Sequence, residues 1–136
     1  RRSFSTSILF LLKGGEVSRF HRIESDELWH FLAGAPLTIH VITPAGRYEE
    51  LGLGSGPVKG QAFQRVVPHG AWFGASLAGG RGYALVGCTV APGFDFRDFR
   101  LAERAELLRL CPRAGGVIRK LTSAKGANGK DGEHEP

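Results

Sequence analysis

The stretch 14–34, GGEVSRFHRIESDELWHFLAG, decides how this chain of 136 residues is to be read. Glycine turns at both ends enclose His21, Ile23, Glu27 and His30. Its apolar residues fall in two short runs, 17–23 and 28–33, separated by Glu24-Ser25-Asp26, a pattern of two strands joined by a turn. Strand alternation puts Glu27, Trp29 and Phe31 on one face and His30 on the other. A histidine and a carboxylate on adjacent strands suit either metal ligation or proton transfer, and spacing alone leaves both open.

Outward from this stretch the same rhythm continues. Apolar runs at 5–12, 37–43, 47–53, 61–67, 71–77 and 83–90 alternate with Gly/Pro turns, making about eight strands in all. Glycine, at 20 residues, is roughly twice its usual frequency, as many tight turns require. Parallel strands would need helical crossovers, and none are visible, so an antiparallel sandwich or barrel is expected. One exception lies late in the chain, where DFRLAERAELLRLCP sets Leu101, Ala105 and Leu108 on one stripe and Pro112 ends it. That predicts a single amphipathic helix packed outside the barrel, with Asp95 and Asp98 as turn or helix caps. From 122 onward no large apolar residue occurs, so the expected division is a domain over 1–121 and a flexible polar tail over 122–136, with His134 solvated.

Composition narrows the function classes. A formal charge of +5 comes without any nucleic-acid-binding motif, so a solvated surface is expected rather than a nucleic-acid footprint. The longest apolar run, 8–12, is far shorter than the roughly 20 residues that span a bilayer, and a soluble, intracellular protein is expected. Cys88 and Cys111 follow no metal or redox spacing and read as reduced, buried thiols. Methionine is absent even at position 1, so the sequence is expected to be processed or partial. RRSFSTS at 1–7 has the Arg/Ser content of an organellar presequence, the alternative reading of that segment.

Two motifs carry a resemblance. Gly15, His21, Glu27 and Gly34 match four of the five defined positions of the first cupin motif, G-x5-H-x-H-x3-E-x6-G, with Ile23 in place of its second histidine. Pro68 and Gly70 match the second motif, P-x-G-x2-H, with Phe73 in place of its histidine. FHRIESDELWHFLAGAPL, VVPHGAWFGA and YALVGCTVAPGFDFRDFRLAERAELL together resemble a small cupin family of unknown function grouped with the RmlC-like jelly rolls. The resemblance runs from Ser5 to about Pro112 and implies a double-stranded β-helix with one C-terminal helix. Members of that family usually carry a further segment ahead of the first strand and often a glutamine at the position of Phe73. Without them an edge strand, part of a pocket wall and one polar group are expected to be missing.

The resemblance implies a small-molecule ligand in the barrel, with isomerase- or epimerase-like chemistry on a carbohydrate or nucleotide-sugar, and a homodimer. Its catalytic candidates are His21 as base, Glu27 as partner or anchor and Tyr83 as proton donor. Arg22, Trp29, His30, Trp72 and Phe73 are the ligand-binding candidates. No cofactor is expected, because Ile23 and Phe73 remove two of three metal-binding histidines. A metal-dependent enzyme using a divalent transition metal is one alternative, and a non-catalytic structural subunit with a degenerate site is the other. Whether the chain is an enzyme stays open. The bland reading of the aromatics is core packing, and that of His40 and His69 is a structural or surface role.

Overall fold

The computed structural model of the protein describes residues 2–124. Short runs with alternating polarity form ten strands: β1 (Thr6–Lys13), β2 (Val17–Arg22), β3 (Asp26–Gly34), β4 (Leu37–Ile42), β5 (Tyr48–Leu53), β6 (Gln61–Ala62), β7 (Gln64–Val67), β8 (Trp72–Leu77), β9 (Tyr83–Ala91) and β10 (Arg100–Leu101). They make a four-stranded sheet, β1-β9-β3-β7, facing a six-stranded one, β10-β2-β8-β4-β5-β6. This is the all-β, double-stranded β-helix that the motifs imply.

The run at 61–67 behaves differently from its neighbours. Gln61 and Ala62 pair with Gly52 and Leu53 of β5, in parallel, within the six-stranded sheet. Gln64–Val67 pairs with β3 in the other sheet. At Phe63 between them, the carbonyl accepts the Phe31 N–H at 2.8 Å. One apolar run therefore becomes two strands because the chain crosses from sheet to sheet in its middle.

Inward-facing side chains of both sheets fill the barrel, among them Leu12, Trp29, Leu37, Ile39, Phe73, Ala75 and Val86. A second cluster lies outside the six-stranded sheet, where Phe20, Ile42 and Trp72 meet Leu107, Ile118 and Leu121. Gly74 makes this contact fit: a β carbon there would come within 2.6 Å of the Ser18 carbonyl and 2.9 Å of Leu121 Cδ2. The backbone is tied in as well, with Phe20 N–H donating to the Leu121 carbonyl at 2.9 Å.

The expected outer helix is α1 (Arg104–Leu110), and a second, α2 (Gly115–Lys120), follows a 3-10 turn at Pro112–Ala114. Gly115 and Gly116 are poor helix formers and hid α2 from the sequence pattern; burial of Ile118 offsets that cost. Asp95 does cap, accepting the Arg97 N–H at 2.9 Å in the 3-10 turn Phe96–Asp98, whereas Asp98 pairs with Arg2 at 2.6 Å. Most of the expected tail, and His134 with it, lies outside the described residues. Thr122 at its start is buried under α1, where its hydroxyl accepts from Arg104 Nε at 2.8 Å.

Candidate functional site

β2 should present alternate residues to the barrel, but its pairing with β8 slips by one residue between Ser18 and His21. The slip is a β-bulge, which re-aims the residues beyond it. Ser18 opposite Ala75 and His21 opposite Phe73 therefore both face inward, while Phe20 between them turns out to the helices. His21 lies against the rings of Phe73 and Phe99, with centroids 4.3 and 5.4 Å away.

His21 is almost fully buried, and burial pulls its pKa down to about 4, opposed only by a backbone hydrogen bond. Its Nδ1 lies 2.7 Å from the Arg19 carbonyl, which can only accept, so Nδ1 carries the proton. The lone pair is then on Nε2, a buried atom with no partner among the described residues.

Glu27 and Trp29 enter from β3, across the barrel, as alternation predicts. Both are fully buried, and the Trp29 ring stands edge-on to Phe73 at 6.3 Å. Burial raises the Glu27 pKa to about 8, so its carboxyl stays protonated at neutral pH. The Cys88 thiol beside it acts in the opposite direction but forms no hydrogen bond with either oxygen. Neither Glu27 oxygen nor Trp29 Nε1 has a partner among the described residues. Glu27 and Trp29 pair with Val90 and Cys88, which with Thr6, Ile8 and Phe94 line an apolar cavity of about 250 Å³. The interior thus combines a bare imidazole nitrogen, a neutral carboxylic acid and an indole N–H, none with a partner among the described residues.

The other candidates lie elsewhere. His30 is on the outer face of the four-stranded sheet, opposite Gln64 and Gly87. Tyr83 opens β9 on that same outer face, 48% exposed and opposite Lys13, so the fold does not bring it to His21 and Glu27. Arg22 points away from His21 and stacks over Trp72 at 4.5 Å on the helix-covered side. Of the predicted set, His21, Glu27, Trp29 and Phe73 share the barrel, and Cys88 joins them. Only its apolar alternation with Val86 and Val90 could have pointed to Cys88.

The donor set does not fit the metal of the cupin pattern. Ile23 and Phe73 put hydrocarbon at two ligand positions, and both are buried in the core. Among the described residues no group of three or more His, Cys, Asp or Glu side chains could hold a metal ion.

Comparison with known proteins gives the family and the fold. A family model described as Cupin superfamily (DUF985) matches residues 1–102. The structure is similar to that of a protein from Shewanella oneidensis, at 43% identity and a TM-score of 0.85 over 90% of this chain and 77% of that one. It is also similar to a hypothetical protein from Leishmania major, at 38% identity and a TM-score of 0.82 over 89% of this chain and 77% of that one. A dTDP sugar isomerase from Desulfovibrio desulfuricans shares the fold, at 16% identity and a TM-score of 0.64 over 74% of this chain and 65% of that one. No curated protein matches the chain.

Proposed function

We infer that this chain, which belongs to the cupin superfamily family DUF985, binds a small polar molecule in its barrel and can move a proton on it. The observation that carries the reading is the set of unpartnered buried atoms, His21 Nε2, both Glu27 oxygens and Trp29 Nε1, on facing walls of one interior. Each such atom costs about 1–3 kcal/mol if nothing satisfies it, and a ligand with matching donors and acceptors would recover that. A carbohydrate or nucleotide-sugar has such groups, and the dTDP sugar isomerase of the same fold suggests the class.

The protonation states suit isomerase or epimerase chemistry. His21 Nε2 would take the proton from the carbon next to a carbonyl. Glu27, still protonated, would donate a hydrogen bond or proton to the carbonyl oxygen, and the proton returned to carbon completes the shift. Trp29 N–H would hold a second oxygen. Free pentoses and hexoses, dTDP-glucose and UDP-glucose in a thermal-shift series, followed by deuterium uptake at substrate carbon from D₂O, test this. Stabilisation and uptake should both be lost in His21→Gln and Glu27→Gln. A stoichiometric transition metal in the purified protein, lost in His21→Ala, would overturn the reading in favour of the metal-dependent alternative.

The homodimer is proposed on separate grounds. Leu9, Leu11, Leu32 and Val66 stand exposed on the outer face of the four-stranded sheet, with Leu9 at 73%. A two-fold axis through this face would bring the same apolar residues of two copies together. Sedimentation should give twice the chain mass for the native protein and a monomer for Leu9→Glu; a monomeric native protein would sink the proposal.

A further inference from the structure

A polar chain on the outer face of the six-stranded sheet is unused by the barrel. His40 of β4 lies between Ser76 of β8 and Tyr48 of β5, with Nε2 2.8 Å from Ser76 Oγ and Nδ1 2.7 Å from the Tyr48 hydroxyl. Tyr48 in turn donates to Glu50 Oε2 at 2.7 Å. Every proton in this chain is placed by its far end. A carboxylate only accepts, so the single Tyr48 proton is committed to Glu50. The Tyr48 oxygen must then accept from His40 Nδ1–H, which leaves Nε2 of the neutral ring bare to take the Ser76 hydroxyl proton. That is the tautomer a general base needs, imposed before any substrate arrives.

Ser76 also has somewhere to react. It lines a cavity of about 120 Å³ with Gly15, Glu16, Val17, Leu77, Gly80 and Lys120, enough room for a small acyl group. Lys120 is the cationic side chain among the residues lining this cavity, and Glu16 the anionic one.

We propose that Ser76 is a nucleophile, activated by His40 with Tyr48 and Glu50 as positioning residues, that takes small acyl groups from esters in this outer cavity. Ser76 Oγ bonds to the ester carbonyl carbon as its proton passes to His40 Nε2. The C–O bond to the alcohol breaks, and the alkoxide leaves with the proton from His40. Water then bonds to the acyl carbon as its proton passes to the same nitrogen; the acyl C–Oγ bond breaks, Ser76 Oγ takes that proton back, and the carboxylic acid leaves. Each half-reaction returns the imidazole to its starting state. This site is independent of the barrel, and either can fail without the other.

The probe is p-nitrophenyl acetate, with p-nitrophenolate release followed optically and the acetylated peptide located by mass spectrometry. A +acetyl adduct on Ser76 is expected, absent in Ser76→Ala and formed about 10²-fold more slowly in His40→Gln. Because His40→Gln could disturb β4, Tyr48→Phe is the second variant. It keeps the ring and should slow acylation about tenfold while near-UV circular dichroism stays native. The native rate should level off above a pH that lies below the ordinary histidine value. Burial sets that pH foremost, with Glu50 and Tyr48 of β5 and Lys120 of α2 as the charged or titratable groups facing His40. Acetylation confined to lysines, an equal Ser76 rate in Tyr48→Phe, or a rate that keeps climbing with hydroxide would each overturn the proposal.

Discussion

His21 and His40 are both buried, at 1% and 7% exposure, and burial lowers the pKa of each, yet their surroundings are opposite in kind. Inside the barrel, His21 has one ring nitrogen bonded and shares the interior with Glu27 and Trp29, whose buried polar atoms have no partner among the described residues. On the outer face, both nitrogens of His40 are bonded, and the bonds continue to Tyr48, Ser76 and Glu50. Both rings are desolvated, His21 more deeply, but desolvation alone does not decide which nitrogens find partners. What differs is whether the protein itself supplies partners. Where it does, the bonds fix the ring's tautomer and orientation in advance; where it does not, the cost is left for a ligand to offset.

The first way to break this comparison is to remove the interior's largest packing element. Trp29→Ala should cost about 3–5 kcal/mol in urea unfolding, since Trp29 is fully buried against Phe10 and Phe73. A loss under 1 kcal/mol would mean that the interior is not a packed site.

The next effect appears with pH. Glu27 keeps its proton in the folded state up to about pH 8 but loses it near 4.5 when unfolded, so stability falls by about 1.4 kcal/mol per unit across that window as pH rises. His21 has the opposite sign: unfolded it binds a proton below 6.5, folded only below about 4, so stability falls as pH drops through that window. The two slopes cancel between about 4.5 and 6.5. Their joint contribution is a plateau there and a decline of about 2 kcal/mol from pH 6.5 to 8. Glu27→Gln should abolish the alkaline decline, measured by chemical unfolding at stepped pH. A decline unchanged in that variant would show that Glu27 is ionised in the fold.

Smaller effects sharpen the contrast. Tyr48→Phe breaks a satisfied outer bond pair and should cost about 1 kcal/mol. His30→Ala, on the outer face of the other sheet, should change stability by no more than about 0.5 kcal/mol in the monomeric Leu9→Glu background.

How far each region was legible follows from how local its cause is. Alternation along β3 is a property of adjacent residues, so Glu27 and Trp29 inside and His30 outside could be read directly from DELWHF. The same reasoning fails on β2, because the bulge between Ser18 and His21 depends on register with β8 and leaves no mark in composition. Tyr83, the expected proton donor, faces outward instead, because its pairing opposite Lys13 of β1 sets its side of the sheet. The His40 chain was invisible, since Ser76 and Tyr48 lie 36 and 8 residues away from it and neither forms a motif with it. Helix α2 was missed for a different reason, its two glycines opposing a helix that tertiary burial of Ile118 nevertheless secures.

By itself the sequence determined the strand rhythm, the barrel fold and the loss of two metal-ligand positions at Ile23 and Phe73, because these depend on residue type and spacing alone. Only the tertiary structure decided which polar atoms are satisfied, that Glu27 is a neutral acid and His21 a bare base, and that Ser76, His40, Tyr48 and Glu50 form one chain. Protonation and hydrogen-bond completion depend on the solvent a group has lost and the neighbours it has gained, and both are contributed by strands remote in sequence.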